Sequence, residues 1–239
     1  MVLPLAAVAA LSTLALSLEP IAARAHVRPI ALDALGSALR TIDLDPRRPR
    51  GTRGNPALTL EAVQATLLKI GVEPRRGDRG FRVVTSAMEP SLHCARPRYG
   101  CLGQVVDRVL VRPYRARAPS RRHVVAFVTP PQARARCGGG RTFIKRVIGL
   151  PGERVTVRDA AGVSRVFVDG RRLNEPYASR VRGSIAEAGP VTVPAGHYFV
   201  LGDNRSLSCD SAVWGTLPRE NIIGRAIAVY WPPARAKRL

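Results

Sequence analysis

FIKRVIGLPGERV, residues 143–155, holds two runs of β-branched and aromatic residues separated by Pro151-Gly152-Glu153, and the runs extend outward to Thr142 and Val157. Side chains branched at Cβ fit a pleated strand better than a helix. Pro-Gly presets a tight reversal, so the stretch reads as two strands joined by a turn. The same pattern recurs from Gly80 onward in FRVV, QVVDRVLV, HVVAFV, RVFVDG, HYFVLG and IIGRAIAVYW, with a second turn signal in VDGRR at 168–172. Many short strands and few helical segments predict a mainly β domain over residues 80–232, built as a twisted, partly closed sheet system.

Outside this domain the signals change. Leu58, Val63, Leu67 and Ile70 recur at near-helical spacing, predicting an amphipathic helix and connection over 57–79 that packs on the domain or lies at a membrane surface. Residues 23–56 read as a linker, with Pro, Gly and Arg lacking periodicity over 42–56. The uncharged run VLPLAAVAALSTLALSL at 2–18 makes residues 1–22 a membrane anchor or a signal segment. Ala23-Arg24-Ala25 has the form of a cleavage site, yet no basic residue precedes the run. An uncleaved anchor is the favoured reading. The arginines that follow it, Arg24, Arg28 and Arg40, would by charge alone hold the rest of the chain in the cytoplasm. Residues 233–239 read as a basic tail.

The formal net charge is +21, but lysine supplies only Lys69, Lys145 and Lys237 of the 38 basic residues. Arginine stays charged, whereas a buried lysine can lose its proton near neutrality, so Lys145 is the basic residue with most chemistry available to it. The arginine surplus fits an anionic membrane surface, each nearby Arg contributing about 1 kcal/mol. Nucleic acid is not expected, because the arginines are scattered and only 5 Phe and 5 Tyr are available for stacking. An Arg-rich β module binding nucleic acid or lipid is the rival class, and steep salt sensitivity would identify it.

The four cysteines all lie in the β region. CARPRYGC would suit a local disulfide between Cys94 and Cys101, leaving Cys137 for Cys209, but four cysteines allow three pairings, and free thiols are the cytosolic alternative. A zinc site using His93 lacks a close cysteine pair. No metal or organic cofactor is implied.

Three segments carry the chemistry: SAMEPSL at 86–92, FIKRVIGLPGERV, and GDNRSLSCDSAVWGTLPRENIIGRA at 202–226. In order and spacing they resemble the sequence boxes of type I signal peptidases over about 145 residues, Arg82 to Ala226. The resemblance implies a twisted antiparallel β-sheet domain behind an N-terminal apolar helix. It implies a single-pass protein of the cytoplasmic membrane with an extracytoplasmic catalytic domain that cuts preprotein signal peptides after small residues through a Ser-Lys dyad. Lys145 is then the general base, neutral through burial. Ser208 would orient its amine, with Asp210 and Ser211 in support. Thr85 and the backbone N–H of residue 87 would bind the oxyanion. Met88 and Pro90 shape the first loop, and Gly202, Asp203, Asn204 and Arg205 form a turn after HYFVL.

Two positions depart from the pattern. The basic residue that normally follows Asp-Ser is Ala212, so the usual partner of Asp210 is absent and another arginine is a candidate substitute. The attacking serine normally precedes the Met of the first box, and that position is Ala87, with Ser86 one place earlier. In an extended segment this shift would send the hydroxyl to the opposite face, and only a bulge or tighter turn would bring Ser86 back. Either Ser86 is the nucleophile or the chain binds preproteins without cleaving them.

Overall fold

The computed structural model describes residues 58–138 and 140–239; the expected anchor and the whole of the linker lie outside them. A ten-residue helix, α1 (Leu60–Lys69), comes first. The Thr59 side chain accepts from Ala62 N at 3.1 Å, while Glu61 in the first turn and Lys69 in the last complement the helix dipole. Val63 and Leu67, one turn apart, are buried against Leu110, Ala228 and Tyr230. Among the described residues no helix is long and apolar enough to cross a membrane.

The rest is mainly β, and every strand pair is antiparallel. In chain order the larger sheet takes β1 (Arg79–Arg82), β2 (Arg108–Arg112), β3 (Val124–Val128) and β4 (Thr142–Gly149). The smaller sheet takes β5 (Arg154–Asp159), β6 (Ser164–Val168), β7 (Arg171–Arg172) and β8 (Ala188–Thr192). The chain then returns with β9 (His197–Leu201), β10 (Leu217–Pro218), β11 (Ile222–Trp231) and β12 (Lys237–Arg238). The sheets run β1-β2-β11-β3-β4-β9-β10, with β12 on β11, and β7-β6-β5-β8. Two short helices, α2 (Pro131–Cys137) and α3 (Ser211–Trp214), lie between strands.

The opening stretch behaves as its residues dictate. β4 passes through Gly152, at φ 86°, into β5, and Glu153 closes the turn by accepting from Leu150 N at 2.7 Å. At the second turn Asp169 and Gly170 both have positive φ, the requirement of a two-residue hairpin loop matched to strand twist. The larger sheet is covered on both faces. Leu110 joins the cluster under α1, whereas its neighbours Val109 and Val111 pack with Met88, Leu92 and Val83 on the other side. Residues 233–239 are built into the fold: β12 pairs with β11, and Arg235 grips the buried Asp107 through two bonds of 2.9 Å.

Of the three possible pairings the chain adopts the local link Cys94–Cys101 together with Cys137–Cys209. β1 is displaced from the expected FRVV to Arg79–Arg82, because Val83 leaves the ladder and bonds Asp107 O instead.

Candidate active site

Lys145 lies in the middle of β4, opposite Val125 of β3. On its other side Arg146 pairs with Leu201 of β9, so extending that register sets Lys145 level with Gly202 and on the same face. The side chain is 4% exposed. Burial pulls the amine down from 10.5 to about 8, against the opposing pull of the Asp210 and Asp203 charges. Its Nζ is 5.3 Å from the Phe143 ring centroid, and no described carboxylate forms an ion pair with it. A large share of such a lysine is neutral in mildly basic solution, as a proton acceptor must be.

Gly202 is required where it stands. A Cβ there would lie 2.2 Å from Ser208 Oγ and 2.4 Å from the Ala87 carbonyl oxygen. The missing side chain is what lets the Ser208 loop and the first loop close together beside Lys145. Ser208 Oγ is buried; it lies near enough to Asp210 to favour its charged form but has no well-aligned hydrogen-bond partner. Asp210 caps α3 by accepting from Ala212 N at 3.2 Å and also accepts from Gly202 N at 2.9 Å. Burial raises its pKa, and these bonds and the Lys145 charge pull it partly back. Ser211 Oγ accepts from Val200 N at 2.9 Å, tying α3 to β9.

The first loop corrects the extended geometry expected for it. Ser86–Met88 is a 3₁₀ turn, closed by Glu89 N donating to Ser86 O at 3.0 Å. Successive side chains in such a turn are about 120° apart, so Ser86 and Ala87 do not face opposite ways. Ser86 packs toward Gly100 and Leu207: a Cβ on Gly100 would meet Leu207 at 2.5 Å and Ser86 Oγ at 3.5 Å. Ala87 is buried, and its carbonyl accepts from Asn204 N at 3.1 Å. Thr85 is exposed and extended and makes no capping bond. Met88 is buried in the core beneath, and Pro90 follows a cis peptide bond.

The fold therefore gathers Lys145, Gly202, Ser208, Asp210 and the Ala87 backbone. Thr85 stands at the edge of this group, and the Ser86 side chain lies against Gly100. Asp203 and Arg205 hold the surrounding turn. Arg146 engages both Asp203 oxygens at 2.8 and 2.6 Å, and stacks at 4.1 Å on Tyr177. Arg205 donates to Gly202 O at 2.9 Å and to both oxygens of Glu175. No ion pair joins Arg205 to Asp210, but its charge acts on it from nearby.

The sequence reading missed Glu89. This carboxylate is 2% exposed, accepts from Cys94 N and Leu102 N, each at 3.0 Å, and pairs with His93 Nδ1. The one signal for it was a histidine four residues later. It missed Lys237 too, whose amine donates to Ser91 O at 3.1 Å. Val84, Tyr99, Leu102 and Leu207 flank the first loop as exposed apolar side chains.

Residues 79–231 match the family described as signal peptidase, peptidase S26. The chain is 38% identical over 175 residues to the probable signal peptidase I-2 of Synechocystis sp., covering 72% of each chain. It is 40% identical over 139 residues to the signal peptidase I of Leptolyngbya laminosa, covering 57% of this chain and 66% of that one. It is also 37% identical over 135 residues to thylakoidal processing peptidase 1 of Arabidopsis thaliana, covering 54% of this chain and 38% of that one.

Proposed function

This chain belongs to the signal peptidase family, peptidase S26, and is signal-peptidase-I-like; from that premise we propose how its residues act on preproteins. Lys145 is the general base, and the observation that carries this is an amine buried in β4 with its pKa drawn to about 8. Ser86 is the nucleophile. Its hydroxyl proton passes to Lys145 Nζ as the oxygen bonds to the scissile carbonyl carbon, and the carbonyl oxygen becomes an oxyanion that accepts from the N–H of residue 87; with Ser86 attacking, Thr85 no longer fits the oxyanion role. Collapse breaks the C–N bond, the leaving amine takes the proton from Lys145, and water later hydrolyses the acyl-enzyme by the same relay. Ser208 orients the amine, while Asp210 and Ser211 brace the loop that carries it.

The substrates are exported preproteins with small residues before the cut. The protein is anchored once in the cytoplasmic membrane, with the β domain on the extracytoplasmic side. The apolar run at 2–18 and the exposed Val84, Tyr99, Leu102 and Leu207 beside the first loop support this reading.

A second reading, capture of preproteins without cleavage, is favoured by Ala87 in the register of the attacking serine and by the packing of Ser86 toward Gly100. A fluorogenic signal peptide separates the two. If Ser86 attacks, Ser86→Ala abolishes cleavage and Ala87→Ser changes it little. If the chain only captures substrate, the parent is inert and Ala87→Ser raises turnover at least about a hundredfold, the scale of effect of placing a nucleophile correctly.

A further inference from the structure

A groove of about 1220 Å³ lies between the α1–β1 connection, the loop from Pro113 to Ser120, and Arg225 of β11. It lies on the α1 side of the larger sheet. Arg112 follows Leu110 by two residues on β2 and so shares its face, and Arg225 pairs directly with Arg112. The Ser86–Met88 turn covers the opposite face.

Its lining is dominated by Arg75, Arg76, Arg112, Arg115, Arg117 and Arg225. Asp78 is the only carboxylate there, and Arg112 already binds both its oxygens at 2.9 and 2.8 Å. Arg75, Arg76, Arg115 and Arg117 form no ion pair with a described residue. Arg225 gives one nitrogen to the backbone oxygen of Leu239, while its buried Nε has no partner. Four uncompensated guanidinium charges around one concavity, Arg75, Arg76, Arg115 and Arg117, repel each other, so an anion entering it gains from all of them at once.

We propose that this groove is a second, noncatalytic site that binds phosphate groups. Guanidinium forks match phosphate oxygens in pairs, and a phosphate carries enough charge to answer several arginines. The volume exceeds what one phosphate fills, which suits a headgroup or a short phosphate chain. Bases are poorly served. Tyr114 is the only aromatic ring of a Phe, Tyr or Trp in the lining, and it is already engaged: its hydroxyl bonds His123 Nδ1 at 2.8 Å, and Arg219 lies 5.4 Å from its centroid.

The test uses the full chain and two probes: inorganic pyrophosphate, followed by calorimetry, and phosphatidylcholine vesicles with or without phosphatidylglycerol, followed by flotation. The ratio between the two vesicle types removes any contribution of apolar insertion. The groove variant is Arg115→Gln/Arg117→Gln, two exposed loop positions. The control, Arg158→Gln/Arg165→Gln, removes the same charge from a cross-strand pair on the smaller sheet. The groove variant should lose about tenfold or more in affinity and the control about twofold or less, with thermal midpoints unchanged. Loss confined to pyrophosphate identifies a soluble phosphate ligand; loss confined to phosphatidylglycerol identifies a lipid headgroup. Equal losses in groove and control variants, or no binding of either probe by the parent, overturn the proposal. Peptide cleavage is not part of the readout, so the peptidase reading stands or falls separately.

Discussion

The two loops that meet beside Lys145 are held by the same devices, a buried carboxylate that accepts backbone N–H groups and a disulfide, but their charges are balanced differently. On the first loop Glu89 has His93, four residues on, as its own partner. On the second, Asp210 has two backbone donors and no ion pair. With Ala212 where the family pattern has a basic residue, its nearest compensating charges are Lys145 and Arg205. The first loop supplies its carboxylate with a side-chain partner of its own, whereas the second shares its charge with Lys145. Asp210 and Lys145 each favour the charged form of the other.

Removing Lys145, the proposed base, should produce the largest effect. Lys145→Met should lower any cleavage rate by about 10²–10⁴-fold. It should also stabilise the fold near neutral pH by about 3 kcal/mol, from a shift of about 2.5 pKa units at 1.36 kcal/mol each. The sign follows from linkage. The folded chain holds this proton less tightly than the unfolded one, so the parent carries the full cost below about pH 8 and loses it as pH rises toward 10.5. Denaturant titrations should show the gap between parent and variant closing over that window, and cleavage by the parent should rise through about pH 8.

The disulfides offer the next contrast. Cys137–Cys209 closes a span of 72 residues and Cys94–Cys101 a span of 7. Chain-entropy arguments then give about 4 kcal/mol for the first and about 2 kcal/mol for the second, measurable by denaturation of the paired Cys→Ser variants. Because Cys209 stands between Ser208 and Asp210, loss of the longer link should also reduce cleavage, while loss of the shorter one disturbs the Gly100 side of the first loop.

Glu89→Gln tests the first loop. It replaces a carboxylate serving three donors with a neutral amide, and should cost about 1–3 kcal/mol of stability. The smallest effect is expected at the shared loop. Ala212→Arg supplies Asp210 with the missing cation, whose charge should move the acid limb of the pH profile downward by less than about one unit. An unmoved limb would mean that Asp210 and Lys145 do not favour each other's charged forms as described.

The sequence was most readable where apolar residues had to be buried over several positions. β4 and β11 match their expected bounds, because TFIKRVIG and IIGRAIAVYW have no other way to satisfy so many β-branched side chains. β8 was missed because it contains Gly189, which weakens a strand, and Pro190, which is confined to a sheet edge, where β8 lies. α2 was missed because Ala133 alone is buried in it, leaving no apolar periodicity to read. The three-residue turn at Ser86 is too short for any period, so its tightness comes from packing of Met88 below and from the Glu89 and Asn204 bonds beside it. Lys145 could be singled out by composition, since arginine had displaced lysine elsewhere. Glu89 could not, because burial of a carboxylate depends on N–H groups that only the folded loop brings near.

The contact between Arg205 and Glu175 has one more implication. Arg205, 4% exposed, reaches out of the Gly202 turn to Glu175 and to Ser164 of β6, so its charge is neutralised by the smaller sheet. A shortened descendant lacking β5–β8 and their loops would take Glu175 and Ser164 away and leave that guanidinium without its ion-pair partner. Natural or engineered trimming of this appendage should therefore succeed only when Arg205 is exchanged for a neutral residue in the same step.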